Sequence, residues 1–103
     1  MDKLNENLMV AADFLEENGF EFAAGFLREP DGFALAGELF GLLIAQGFHP
    51  EMRHERATAL VVYRFQFGGG RGHVASLEDL RRGDVRSLAS QLIEDIKRAA
   101  ADI

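Results

Sequence analysis

A chain of 103 residues, nearly half of them apolar and including nine Phe, is long enough to build one core and too apolar for a disordered tail. The absence of cysteine excludes disulfides, thiolate metal sites and cysteine nucleophiles, and makes a reducing cytoplasm the default compartment. The net charge of −6 is unevenly placed: residues 1–48 carry nine acids against two bases, whereas residues 49–103 carry eight acids against nine bases, all arginine but Lys97.

The first ten residues place acids and amides where a secretory signal has a basic start and an apolar run, so they read as mature sequence. Leu4, Leu8, Ala11 and Leu15 recur on one helical face, predicting a helix over residues 2–17 that Asn18-Gly19 closes. A second, short helix is expected over 20–27. Glu29-Pro30-Asp31-Gly32 then breaks the pattern, and Asp31 is placed to cap a third helix reaching residue 46, with Gly47 ending it. That third helix is apolar almost all round. Ala34, Ala36, Gly37, Gly41 and Ala45 supply small positions and Leu35, Leu39, Phe40, Leu42 and Leu43 supply volume, so it is expected to be the central core helix. Its apolar run, residues 33–44, contains Glu38 and falls short of the roughly 20 residues a membrane helix needs, so no span is expected.

From Phe48 the alternation shifts to a period of two, predicting an edge strand around Pro50. Residues 58–67 read as the strongest strand, with Val61, Tyr63, Phe65 and Phe67 on one face. Gly68-Gly69-Gly70 reads as a hairpin turn and residues 71–76 as a returning strand. Ser76 and Asp79 can cap a short helical turn ended by Gly83, and Asp84 can cap a last helix with Val85, Leu88, Leu92, Ile96 and Ala99 on its stripe. The expected fold is α+β: an N-terminal three-helix segment, a small antiparallel sheet of two to three strands and a long C-terminal helix, in a single domain over residues 1–103.

Candidate chemistry is sparse. His49 and His54 mix with carboxylates, but on a strand they point to opposite faces, so no metal site is expected. The glycines at 68–72 lack the following helix and the Lys-Ser/Thr of a phosphate loop. Paired carboxylates such as Glu16-Glu17 and Glu78-Asp79 are neighbours on exposed turns rather than desolvated acid–base pairs. No catalytic residue, cofactor or enzymatic activity is expected.

Three helices followed by a ribbon suggest a winged-helix arrangement, yet residues 31–47 contain no Lys or Arg with which to meet phosphates. Nucleic-acid binding is therefore disfavoured. The expectation is a non-enzymatic regulator or inhibitor, of the kind seen in immunity proteins or phage-encoded antagonists of nucleic-acid-handling complexes. Asp13, Glu16, Glu17 and Glu21 would meet a protein partner with a basic surface. The alternatives are an accessory nucleic-acid binder using Arg64, Arg71, Arg81, Arg82 and Arg86, or a homo-oligomeric structural protein. In the latter, a homodimer would cover apolar surface around Phe20, Phe22, Phe26 and Phe33, although ordinary core packing of these rings is favoured.

Overall fold

A computed structural model describes residues 3–47, 49–67, 76–81 and 83–102. Six α-helices follow one another: α1 (Lys3–Glu17), α2 (Glu21–Arg28), α3 (Gly32–Ala45), α4 (Arg53–Phe65), α5 (Leu77–Leu80) and α6 (Val85–Asp102), with a 3-10 turn at Pro50–Met52 leading into α4. No strand occurs among the described residues, which overturns the α+β expectation. The Gly68-Gly69-Gly70 turn and residues 71–75 of the returning strand lie outside the described residues.

The correction centres on α4. Its β-branched and aromatic residues satisfy a period of two, but the same run also satisfies the helical one. Thr58, Val61, Val62 and Phe65 stand at i, i+3, i+4 and i+7, and all four are buried. Each β-branched residue lowers helix propensity by only about 0.5 kcal/mol, whereas burying Val62 or Phe65 contributes about 2 kcal/mol apiece. Packing wins. Pro50 is an N-terminal residue of the helical turn, where its missing N–H has no partner to lose, rather than a member of an edge strand.

The N-terminal elements follow their sequence signals more closely. On α1, Leu4, Ala11 and Leu15 are buried and Leu8 is partly buried. Gly19 adopts φ 85°, the left-handed conformation that ends a helix, and the Phe20 and Gly19 amides donate to the carbonyls of Leu15 and Glu16 at 2.8 and 3.1 Å. This closure folds α2 back against α1. Gly47, at φ 88°, follows α3 as expected, but the Asp31 side chain makes no capping bond. Ser76 and Asp79 form a reciprocal capping box on α5, and Asp84 accepts from the Arg86 amide at 3.1 Å to cap α6.

One core runs through Leu15, Ala24, Val62, Phe65, Leu80, Leu92 and Ile96, with α6 packed against both α1 and α4. Phe20, Phe26 and Phe33 pack against it, and Phe22 sits further out, edge-on to Phe26 at 5.0 Å. Asn7 is the polar tie across this core: its amide donates to the carbonyl of Leu80, joining α1 to the end of α5. Asn7→Ala should lower stability by about 1–3 kcal/mol, because the carbonyl loses its donor while staying dry. Urea denaturation reads this directly, and a loss below about 0.5 kcal/mol would mean that water replaces the amide.

The placement of α3 is the second correction. Among the described residues it packs chiefly on α4 and α2, which leaves a large part of its circumference without a described neighbour. Gly32, Ala36 and Leu43 are buried, while Ala34, Leu35, Glu38, Gly41, Leu42 and Ala45 are exposed. At 100° per residue those six positions form one face, and Ile44, also exposed, stands beyond its edge next to Gly41. The small residues thus split: Ala36 and Gly37 let α4 approach, with the Tyr63 ring over Gly37, and Ala34, Gly41 and Ala45 look outward. α3 is the most apolar helix of the chain without being its centre.

Candidate functional site

The acidic corner is assembled by the α1–α2 reversal. Asp13, Glu16 and Glu17 leave the solvent side of α1, and Glu21 stands in the first turn of α2; all four are exposed. Because α2 runs back along α1, Arg28 at its far end reaches the first two. Its Nη2 donates to Asp13 Oδ1 at 2.7 Å and to Glu16 Oε2 at 2.9 Å. These bonds, to Asp13 first and then Glu16, hold the Arg28 guanidinium above its ordinary pKa. Glu17 and Glu21 make no ion pair among the described residues.

Arg86 also belongs to this neighbourhood. It lines a groove of about 180 Å³ with Val10, Asp13, Phe14 and Glu17, between α1 and the start of α6. The charge separation along the sequence is therefore softened in space: Arg28 bonds Asp13 and Glu16, and Arg86 lines a groove with Asp13 and Glu17. A residue proposed for nucleic acid and two proposed for a basic partner meet in one groove.

Of the other described arginines proposed for nucleic acid, neither Arg64 nor Arg81 lines this groove. Arg64 is exposed on α4 and lines a cleft of about 160 Å³ with Asp95, Arg98 and Asp102 of α6. From Arg86 to Asp95 is nine residues of helix, about 14 Å. Arg81 is taken up locally by Glu78 at 3.5 Å. Arg71 and Arg82 lie outside the described residues.

Two features were not anticipated from sequence. Asp95, not among the stripe residues predicted for the last helix, is 6% exposed; its Oδ1 accepts from Gln91 at 3.1 Å and lies 3.6 Å from Arg98, while Oδ2 has no hydrogen-bond partner. Its spacing carried the signal: Leu88, Leu92 and Ala99 stand seven and three residues before it and four after, which sets Asp95 at the edge of the α6 stripe although Glu94 and Lys97 are exposed. The other feature is the outer face of α3, where Leu35 and Leu42 are 44% and 54% exposed. A signal for it was present: one helix apolar on all sides exceeds what two neighbours can cover.

The two described histidines, His49 and His54, do not converge. His54 lies against the Phe20 ring at 5.7 Å, His49 Nε2 is 3.2 Å from the Gln46 carbonyl, and no group of three or more potential metal ligands gathers among the described residues. No helix of the described residues is long and apolar enough to cross a membrane. Among the described residues these features define a small helical bundle with an acidic corner and an apolar helix face that no described element covers. Compared with protein-family models, with curated proteins and with solved structures, the chain matches none.

Proposed function

We propose that this chain is a non-enzymatic regulator that binds another protein in a reducing cytoplasm, its acidic α1–α2 corner meeting a basic surface. One observation carries the reading. Four exposed carboxylates, Asp13, Glu16, Glu17 and Glu21, gather where the first two helices turn, and Arg28 is bonded to only two of them. Complementary charge of this kind accelerates encounter and discriminates among partners more than it adds affinity. Glu17 and Glu21 are the two that Arg28 leaves unbonded, Glu17 sharing its groove with Arg86, so these two are the carboxylates to reverse.

Two variants test the corner in opposite directions. The double variant E17K/E21K should slow association with the cognate partner by about tenfold or more at low salt and flatten its salt dependence. R28Q, which releases Asp13 and Glu16, should speed association and leave the fold intact. The partner is first captured from the native cell with the wild-type chain, and rates are then measured with the purified pair. Equal association rates for wild type, E17K/E21K and R28Q would remove the corner from the interface.

A further inference from the structure

The outer face of α3 has no covering element among the described residues, and its composition points to what it takes. Around the helix, Leu35 and Leu42 form a ridge on one side, Ala34, Gly41 and Ala45 form a shallow trough on the other, and Glu38 stands between them. With a rise of 1.5 Å per residue the strip from Ala34 to Ala45 is about 17 Å long and one helix wide. No Lys or Arg occurs from residue 29 to 52, whereas Glu29, Asp31, Glu38 and Glu51 do, and all four are exposed.

We infer that this face docks an amphipathic helix of a partner protein, one whose apolar stripe is flanked by Lys or Arg. The ridge and trough take the apolar stripe, with the trough admitting its larger side chains, and Glu38 takes a basic residue at mid-length. A helix in a groove is an established way to bury a narrow apolar strip. A second copy of this chain fits less well. Two α3 faces meeting about a twofold axis at the helix midpoint would set Glu38 against Glu38 in an otherwise apolar strip, and like charges there oppose pairing. The inference rests on the protein-binding reading but uses a different face from the α1–α2 corner, so the two fail separately.

The test uses two synthetic 14-residue helical peptides with the same Leu/Ala stripe, one flanked by Lys and the other by Glu. Binding to the full chain is followed by fluorescence anisotropy. Wild type should bind the Lys peptide about tenfold or more tightly than the Glu peptide, and L35S/L42S, which changes no charge, should lose about tenfold for the Lys peptide. G41L, which fills the trough without adding polarity and favours helix, should produce a similar loss, so the outcome does not hang on one variant's folding. E38K should weaken the Lys peptide more than E17K, which alters net charge equally at the other face. If L35S/L42S and G41L bind the Lys peptide as wild type does, the attraction is charge alone and the docking face is refuted. Sedimentation showing a wild-type dimer that L35S/L42S dissociates would equally overturn the inference, assigning the face to a second copy.

Discussion

Phe65→Ala is expected to lower stability by about 3–5 kcal/mol, a large part of what a domain of this size possesses. Phe65 is 1% exposed at the C-terminal end of α4, its ring 6.1 Å from that of Phe33, and it belongs to the core that α4 shares with α6. Removing the ring leaves a cavity walled by neighbouring helices that cannot all close in. The comparison that gives the result meaning is Phe67→Ala. On a strand, residues 65 and 67 would share a face and both lose heavily. On the observed helix Phe67 follows α4, is 69% exposed and meets Tyr63 edge-on, so its truncation should cost less than about 1 kcal/mol. Chemical denaturation of the two variants reads the difference, and similar losses at both positions would contradict a helical α4.

Gly32→Ala is expected to be nearly as damaging, by about 3 kcal/mol, although it adds a single methyl group. A Cβ on Gly32 would fall 1.6 Å from the Phe26 carbonyl oxygen, and that oxygen is backbone, so one helix must move relative to the other. Gly41→Ala is the counter-case on the same helix. Nothing lies within 4 Å of its Cβ position, and exchanging a mid-helix glycine for alanine should stabilise the chain by about 0.5–1 kcal/mol. Opposite signs for the two substitutions in one urea series are the expected outcome. A loss at Gly41 as well would mean that the outer face of α3 is packed against something.

Much of the helical part of this fold was legible in the sequence, because its signals are local. The α1 stripe, the left-handed Gly19 and Gly47, and the Ser76–Asp79 capping box each depend on residues within a turn or two of one another. What was not legible depends on tertiary contact. Residues 58–65 carry two periodicities at once, and only packing against α3 and α6 selects the helical one. α3 reads as a core helix because apolar composition reports what a segment could bury, not how many neighbours it has. The acidic corner was legible as a list of residues, but the bonds from Arg28 follow from how α2 folds back, which sequence spacing does not give.

The most direct test of the uncovered α3 face exploits the absence of cysteine, which lets single thiols be introduced without background. Thiol-labelling rates would be measured for Leu35→Cys and Leu42→Cys on the outer face and for Ala36→Cys and Leu43→Cys on the inner one. The outer pair should react close to the unfolded-chain rate and the inner pair more slowly by on the order of a hundredfold, with neither depending on protein concentration. Slow reaction at all four positions would mean that α3 is covered on every side, and the account of this protein as a bundle presenting a free docking helix would be wrong.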